Sequence, residues 1–516
     1  MSDGKRLTLT IDGREIPFRV GETLLSAASR AGVRVPTLCH LEGLPPFASC
    51  MVCLVMDKSS GRMVPSCATR AEPGMEIDAS SERVVEARKT ALEMLLSEHL
   101  GDCEGPCEMA CPLLLDVPGA IRAVRRGDAE AAGGVLASGS PLPRSACLVC
   151  HAPCEKACRR GRADETVSIR RLMSFASSSA RPRSGAGSKG GTKRVAVVGS
   201  GPAGLSFASS AARLGYACAV FERSSTPGGS LRGSVPASAL EADIADIAAL
   251  GAEIGTGAEF EFDPGRPVPK GYDALVIATG ALEDSGSPPL GLEVEGGGVS
   301  VDPATYAASI DGVFAIGAAA FPEASAIQAV ADGVSAARSV AVFLGMALGK
   351  TAGDMFDSRF GALEPDDLDV FLAGASTEGR VEPGDGDAFS KDEAEREAER
   401  CLDCDCAAAD ACALRELATE FGIDPRRFQE DRRKNGRGRD FVRIVGGNVV
   451  LETGKCVLCG RCVEITKELD EGFAFVGRGY DCVVSPPPGA PLDRALGDLL
   501  KTCVERCPTG ALAFKR

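Results

Sequence analysis

Cysteine is the residue type in this chain whose number and spacing suggest chemistry, because 22 of the 516 residues are cysteines. Nineteen of them stand in groups with short internal spacings, and only Cys218, Cys482 and Cys503 stand apart. Closely spaced cysteines allow several sulfurs to converge on one metal centre. The chain has only three histidines, so zinc sites of mixed ligand type are scarce. The pattern indicates iron–sulfur clusters.

The bulk composition is typical of a soluble protein with several domains. A chain of 516 residues is too long for one hydrophobic core. A net charge of −15 argues against nucleic acid or an anionic membrane as a partner. The first residues contain no apolar signal-peptide segment, and no run of about 18 apolar residues could span a bilayer. We therefore expect a cytoplasmic protein with reduced cysteines.

The first cysteine group has the spacing C-x10-C-x2-C-x13-C and consists of Cys39, Cys50, Cys53 and Cys67. Four thiolates from one loop suit a [2Fe–2S] cluster, and a structural zinc site is the alternative. Alternating runs on either side of Asp12-Gly13 predict a hairpin, and a helix is expected at about 22–31. We expect a β-grasp [2Fe–2S] domain over 1–78.

Further motifs surround this group: Val35–Cys39, Gly74-Met75, Ala87–Lys89 and Leu95–His99. Together they resemble the large iron–sulfur subunit of respiratory complex I, over about the first hundred residues. NAD-linked hydrogenases and formate dehydrogenases share this module. The resemblance implies electron transfer within a larger oxidoreductase. The periodic segment Glu82–His99 predicts a helix.

Eight further candidate ligands suit two [4Fe–4S] clusters, and they are His99, Cys103, Cys107, Cys111, Cys147, Cys150, Cys154 and Cys158. His99 could instead cap the end of its helix or face solvent. After the histidine, complex I has the motif C-x2-C-x5-C, whereas this chain has C-x3-C-x3-C.

Where the sequence differs from the complex I motif, it begins to resemble a second family. Cys103–Cys107, Cys111-Pro112, Pro141–Pro143 and Cys150–Glu155 resemble the cluster domain of the glutamate synthase small subunit. Dihydropyrimidine dehydrogenase carries a similar domain. The resemblance implies a helical domain over 79–173 that holds two [4Fe–4S] clusters, with ligands exchanged between its two motifs. In that family another residue often replaces Cys147.

A dinucleotide-binding domain is expected over 193–349, after a linker at 174–192 that is rich in Ser, Gly, Arg and Pro. The buried-strand run Arg194–Val198 leads into Gly199-x-Gly201-x-x-Gly204, and a second strand ends at Glu222. Glycines let such a turn approach a pyrophosphate, and the following helix supplies N–H groups. The acid at the second strand end can hydrogen-bond ribose hydroxyls.

Further motifs stand at 227–229, 272–280, 312–317 and 327–333. They resemble the FAD-binding part of the glutamate synthase small subunit, which implies FAD. The predicted cofactor-binding residues are Gly199, Gly201, Pro202, Ala203, Gly204, Glu222, Arg223, Gly228, Gly229, Thr279, Gly280, Gly317 and Ala329. That family inserts a complete NADPH-binding domain where only 36 residues separate Gly280 from Gly317 here, and Ala318 replaces an acidic residue. We expect the NAD(P)H site to be deleted. The alternative is a structural remnant without flavin.

Two cysteine groups follow an acidic connector at 350–395. The group within 396–420 is Cys401, Cys404, Cys406 and Cys412, which could hold a [4Fe–4S] cluster, a zinc ion or no metal. The second has bacterial ferredoxin spacing and takes its fourth ligand from a distant Cys-Pro, giving Cys456, Cys459, Cys462 and Cys507. It predicts one [4Fe–4S] cluster in a ferredoxin-like domain at 440–516, with structural zinc as the alternative.

The predicted fold is multidomain, α/β and α+β. The cofactors expected are one [2Fe–2S] cluster, three or four [4Fe–4S] clusters and FAD. No nucleophile–base pair or P-loop occurs in the sequence, and so many one-electron carriers suit a relay. We expect an electron-transfer subunit whose partners are redox subunits, such as an NADH-oxidising flavin subunit and a formate dehydrogenase or hydrogenase catalytic subunit. The alternatives are a free-standing FAD-dependent NAD(P)H oxidoreductase and a non-enzymatic iron–sulfur scaffold.

Overall fold

The computed structural model describes residues 7–181, 193–257, 259–282, 289–384, 388–428, 441–487 and 490–515. These residues form two compact units whose segments alternate along the sequence. The first unit draws on Met1–Glu104, Thr351–Ala373 and Cys404–Arg516, and the second on Gly105–Lys350 and Gly374–Asp403. In sequence, the second unit therefore interrupts the first directly after Glu104.

The N-terminal part of the first unit is a five-stranded sheet with two helices. Strands β1 (Thr8–Ile11) and β2 (Arg14–Pro17) pair antiparallel around Asp12 and Gly13, which both have positive φ, and this confirms the predicted hairpin. Helix α1 spans Leu24–Arg30. Strands β3 (Leu54–Asp57), β4 (Arg62–Pro65) and β5 (Glu76–Asp78) complete the sheet in the order β2-β1-β5-β3-β4. Helix α2 (Glu82–Ser97) confirms the prediction from periodicity.

The second unit begins with short helices around an apolar core. They are α3 (Pro106–Met109), α4 (Val117–Arg125), α5 (Ala129–Gly139), α6 (Pro153–Lys156) and α7 (Ile169–Ser177). Asp116 and Asp128 start α4 and α5, because each carboxylate accepts a hydrogen bond from a backbone N–H of the first turn.

A parallel sheet with flanking helices follows in the same unit. Its elements are β6 (Arg194–Val198), α8 (Pro202–Leu214), β7 (Ala217–Glu222), α9 (Ala237–Ala249), β8 (Glu253–Thr256), β9 (Ala274–Ile277), β10 (Val294–Glu295), β11 (Gly298–Val299), β12 (Val313–Ala315) and α10 (Ala326–Phe343). The sheet order is β12-β9-β6-β7-β8, and the three strands β8-β7-β6 have the 3-2-1 order of a mononucleotide-binding half of a Rossmann fold. Between β9 and β12, the described residues include the small antiparallel ribbon β10–β11.

The remaining segments return to both units. Helix α11 (Pro365–Leu372) belongs to the first unit, and α12 (Lys391–Ala398) packs against α4 and α7 in the second. The elements that follow all belong to the first unit: α13 (Ala413–Phe421), β13 (Arg443–Gly446), β14 (Val449–Glu452), α14 (Arg461–Thr466), β15 (Ala474–Val476), β16 (Val483–Ser485), α15 (Leu492–Leu496), α16 (Leu500–Arg506) and β17 (Leu512–Phe514). Across the described ranges, no helix has the length and apolar character that a bilayer crossing needs.

Candidate functional site

The four cysteines of the first group converge in the loops around β3 and β4. Cys39, Cys50, Cys53 and Cys67 are at most 4% exposed. A hydrogen bond from the Cys50 thiol lowers the pKa of Cys39 to about 5, and one from Cys67 lowers the pKa of Cys53 to about 6. The structure therefore brings together all four residues that the sequence assigns to a [2Fe–2S] cluster.

The ferredoxin-type cysteines surround a pocket in the C-terminal part of the first unit. Cys456, Cys459, Cys462 and Cys507 all line it, and Leu451, Phe473, Val484 and Leu512 supply apolar walls. Burial and the neighbouring thiols together raise the pKa of Cys459 to about 12. A thiol in this environment loses its proton readily only when a cation compensates the charge. The donors and the space suit a metal cluster.

A third set of cysteines in the first unit comes from segments far apart in the sequence. The backbone N–H of Cys406 donates to the carbonyl oxygen of Cys103 over 3.0 Å. The amide of Ser358 donates to the Cys103 sulfur over 3.3 Å, and the amide of Arg415 donates to the Cys412 sulfur over 3.4 Å. Burial, together with the neighbouring cysteines, raises the pKa of Cys412 to about 11. N–H donors of this kind stabilise cluster sulfur ligands.

One hydrophobic core joins these three groups. Cys39 and Cys50 of the first group, Cys412 of the third and Cys459 of the ferredoxin group all belong to it, together with leucines of α2 and α13. Polar and aromatic contacts link the same loops. The Arg461 guanidinium donates to the carbonyl oxygen of His40 over 2.6 Å, and the rings of Phe47 and Phe475 stack with centroids 5.5 Å apart. The three groups thus share one apolar core.

The second unit holds a further pocket surrounded by cysteines. Cys111, Cys147, Cys150 and Cys154 line it, with Met173 of α7 and Ile327 of α10 among the apolar walls. The amide of Ala152 donates to the Cys150 sulfur over 3.4 Å, and burial raises the pKa of Cys154 to about 12. Four of the eight predicted cubane ligands therefore meet here.

Cys107, Cys158 and Cys401 lie against the apolar core of the helical part of the second unit. An ion-pair network holds the residue before Cys401 in place. Arg400 is fully buried, with its guanidinium 3.1 Å from both Glu397 and Asp164, and its carbonyl oxygen accepts a hydrogen bond from Arg160.

The two units divide two of the predicted ligand sets. His99 and Cys103 belong to the first unit, whereas Cys107 and Cys111 belong to the second. Likewise, Cys401 belongs to the second unit, and Cys404, Cys406 and Cys412 belong to the first. Each of these two sequence groups therefore has members in both units.

The glycine-rich turn has the geometry of a dinucleotide site. A Cβ at Gly199 would lie 2.3 Å from the Ala278 carbonyl oxygen, and one at Gly204 would lie 2.0 Å from the Gly199 carbonyl oxygen. A Cβ at Gly201, which caps α8, would meet no atom within 4 Å. The turn is thus tight where the backbone must fold back and open where a phosphate would approach the helix N-terminus.

The other predicted cofactor residues surround this turn. Pro202 and Ala203 begin α8, and Gly317, with φ of +59°, approaches Ala203 and Ala329 so closely that a Cβ would lie 2.8 Å and 3.4 Å from their methyl groups. Gly229 lies against Gly201, and Thr279 lies against Gly199, next to Gly280. Arg223, which follows the buried Glu222, is exposed. The backbone amide of Gly228 donates to the Ser200 carbonyl oxygen.

Two interactions at these sites were missed by sequence reasoning. The Glu222 carboxylate accepts hydrogen bonds from the Ser200 amide and hydroxyl and from the Ser224 amide. In the first unit, Lys455 and Glu452 form a buried ion pair next to Cys456. Burial lowers the pKa of Lys455, but Glu452 and Cys406 outweigh it, so that the net pKa is raised. The one sequence feature that could have indicated this ion pair was a lysine directly before a ferredoxin-type cysteine.

The described residues contain no three His, Cys, Asp or Glu side chains placed to hold a single metal ion. The two cysteine-lined pockets instead have sulfurs around a central space, as a polynuclear core requires.

Three parts of the chain match known domain families. Residues 4–82 match a 2Fe-2S iron–sulfur cluster binding domain, and 88–184 match the 4Fe-4S cluster domain II of dihydropyrimidine dehydrogenase. Residues 197–245 match an NAD(P)-binding Rossmann-like domain. The predictions of both cluster types and of a dinucleotide-binding fold are confirmed.

Similar proteins include oxidoreductase subunits. The mitochondrial NADH-ubiquinone oxidoreductase 78 kDa subunit of Candida albicans is 34% identical over 21% of this chain and 16% of the relative. NADP-reducing hydrogenase subunit HndD of Solidesulfovibrio fructosivorans is 42% identical over 20% of this chain and 19% of the relative. NADP(+)-dependent formate dehydrogenase subunit beta of Moorella thermoacetica is 33% identical over 34% of this chain and 29% of the relative. A solved NAD+-reducing [NiFe]-hydrogenase is 40% identical over 18% of this chain and 39% of the solved chain, with a TM-score of 0.17. The matches span less than a third of each of the three named relatives.

Proposed function

We propose that this protein is an electron-transfer subunit of a multisubunit oxidoreductase of the formate dehydrogenase, hydrogenase or NADH dehydrogenase type. The observation that carries the proposal is the shared core of the first unit, in which Cys39, Cys50, Cys412 and Cys459 belong to one apolar cluster. Iron–sulfur clusters supply one-electron transfer when bound. Ligand groups that share one interior suit conduction between them.

In this proposal the ligands form five sets, three of them in the first unit. The sets of the first unit are Cys39, Cys50, Cys53 and Cys67 for [2Fe–2S], and His99, Cys103, Cys406 and Cys412, and Cys456, Cys459, Cys462 and Cys507, each for [4Fe–4S]. Cys406-x5-Cys412 has the final spacing of the complex I motif that His99-x3-Cys103 begins. The insertion of the second unit would separate the two halves of that motif.

The second unit would hold the two other [4Fe–4S] sets. Cys111, Cys147, Cys150 and Cys154 form one, and Cys107, Cys158 and Cys401 contribute to the other. These assignments use nineteen of the twenty predicted ligands. The twentieth, Cys404, stands at C-x2-C spacing from Cys401 in the sequence.

The role of the protein around these ligands is to exclude water and to supply hydrogen bonds. Burial makes an isolated thiolate costly. The pKa is accordingly raised to about 12 at each of Cys103, Cys154 and Cys459. A bound cation removes that cost, so the buried thiols favour a metal-loaded state. Such thiols require a reducing compartment, which supports a cytoplasmic location.

The dinucleotide site is proposed to bind FAD. Helix α10 supports this, because it carries Ala329 against Gly317 and also Ile327, which lines the pocket of Cys111 and Cys150. One helix therefore contacts both the flavin site and a cluster site. A flavin exchanges electrons with one-electron carriers, which the nicotinamide of NAD(P) does not do directly. The partners proposed are an NADH-oxidising flavin subunit and a formate dehydrogenase or hydrogenase catalytic subunit.

The proposal is tested by EPR of the dithionite-reduced full chain after anaerobic purification. We expect Cys103→Ser and Cys406→Ser to lose the same signal, and Cys107→Ser to lose a different one. Cys482→Ser, which lies outside all five sets, is the matched control. Loss of one common signal in Cys103→Ser and Cys107→Ser, with Cys406→Ser unchanged, would contradict the ligand sets.

The partner proposal needs a separate experiment. We expect anaerobic pull-down from the native source to recover a flavin subunit or a catalytic subunit with the chain. The isolated chain should accept electrons from dithionite and not from NADPH. Efficient steady-state reduction by NADPH would instead indicate a free-standing flavoenzyme.

A further inference from the structure

The first unit contains a buried ion pair that no ligand set uses. The side chains of Lys455 and Glu452 are only 2% and 3% exposed, and the ammonium lies 2.5 Å from the carboxylate. The second oxygen of Glu452 lies 3.4 Å from Nε of Arg443. Burial of a charged pair costs several kcal/mol of desolvation per ion, and well-packed apolar residues are often at least as stable. Stability alone is therefore a weak explanation for the pair.

Lys455 lies at the junction of two ligand segments. It directly precedes Cys456 of the ferredoxin-type set. Its aliphatic stem passes over Gly101, two residues before Cys103, where a Cβ would lie 2.5 Å from the lysine Cε. The backbone supports the same approach, because the Leu100 amide donates to the Gly454 carbonyl oxygen over 2.8 Å. Glycine at position 101 thus leaves room for the lysine stem.

The chemistry of this location concerns charge. An electron added to a cluster is favoured by a nearby cation and opposed by a nearby anion, and both effects are strong where water is excluded. Methionine could fill the space of the stem, but it would bring no charge. Neither Lys455 nor Glu452 is among the twenty predicted ligands, so their effect on a cluster would be through space.

We propose that Lys455 and Glu452 set the reduction potentials of two [4Fe–4S] clusters through their charges, and that each residue shifts both potentials in the same direction. The inference rests on the proposed function, and specifically on the His99/Cys103/Cys406/Cys412 and Cys456/Cys459/Cys462/Cys507 sets. The lysine raises both potentials, and the glutamate lowers them. The pair thereby adjusts two neighbouring carriers together.

The test is a potentiometric EPR titration of the full, cluster-loaded chain. Lys455→Gln should shift the two signals to lower potential, and Glu452→Gln should shift them to higher potential. We expect at least a tenfold change in the ratio of oxidised to reduced cluster at a fixed potential, which is about 59 mV for one electron. The [2Fe–2S] signal is the internal reference. Lys467→Gln, which removes a half-exposed lysine of the same unit, should shift nothing.

Two further variants keep the inference falsifiable if a single exchange loses a cluster. Lys455→Arg preserves the charge and should leave both potentials unchanged. The double variant Lys455→Gln/Glu452→Gln removes both charges and should fall between the single variants. Shifts of the same sign in both single variants, or no shift in either, would overturn the inference. So would a double variant shifted as far as Lys455→Gln. If the unaltered chain lacked these two EPR signals, the ligand sets themselves would be refuted.

Discussion

Gly510 offers the sharpest structural test of the proposed His99/Cys103/Cys406/Cys412 set, because it lies against Cys406. A Cβ at this position would lie 2.0 Å from the sulfur of Cys406, while its next contact, to Ala408, would be at 3.7 Å. Gly510 is buried and its φ is not in the left-handed region, so alanine is compatible with the backbone and only the sulfur contact is disturbed. Gly510→Ala therefore acts on one ligand.

The size of the disturbance follows from the contact distance. An ordinary contact begins at 3.4 Å, so the Cys406 sulfur would have to move by about 1.4 Å. Overpacking of this kind typically costs about 1–3 kcal/mol. A ligand displaced so far cannot hold its iron, and we expect loss of one cubane. With one [2Fe–2S] and four [4Fe–4S] clusters, iron per chain would fall from about 18 to about 14.

The assay is iron and sulfide analysis together with EPR of the anaerobically purified variant. The missing signal should be the one that Cys406→Ser and Cys103→Ser lose. Gly134→Ala is the matched control, because a Cβ there meets no atom within 4 Å and alanine favours helix α5. Full iron content and unchanged spectra in Gly510→Ala would refute the placement of Cys406 as a ligand.

Three further predictions concern the second unit. Cys401→Ser should abolish the same EPR signal as Cys107→Ser; loss of the Cys406 signal instead would restore the grouping by sequence spacing. Gly204→Ala, whose Cβ would lie 2.0 Å from the Gly199 carbonyl oxygen, should lower the flavin released per chain at least tenfold with iron unchanged, and full flavin content would count against the site. Arg400→Met should cost about 3–5 kcal/mol of stability, since it leaves the buried Glu397 carboxylate without its cation. An unchanged denaturation midpoint would show that the network does not stabilise the unit.

Local features of the fold were accessible from the sequence, because each depends on neighbouring residues. The Asp12-Gly13 hairpin, helix α2 and the turn from β6 into α8 all follow from turn chemistry and periodicity. The same holds for the ferredoxin-type site, where three cysteines stand in one short motif. The pairing of that motif with Cys507 followed a known family pattern.

The grouping of the other ligands was not accessible in this way. Cys103, Cys107 and Cys111 stand at regular spacing, yet the chain passes from one unit to the other directly after Glu104. Two cores can begin within a few residues of each other, and spacing alone does not reveal which core a side chain enters. Contacts such as the one between Cys406 and Cys103 depend on tertiary packing across a long insertion.

The central claim is that these cysteines hold iron–sulfur clusters in five sets. The most direct measurement is the iron and acid-labile sulfide content of the full chain, purified without oxygen, with zinc determined in the same sample. The account predicts a brown protein with about 18 iron and about 18 sulfide per chain. A colourless protein without sulfide, or one with zinc in place of iron, would contradict it.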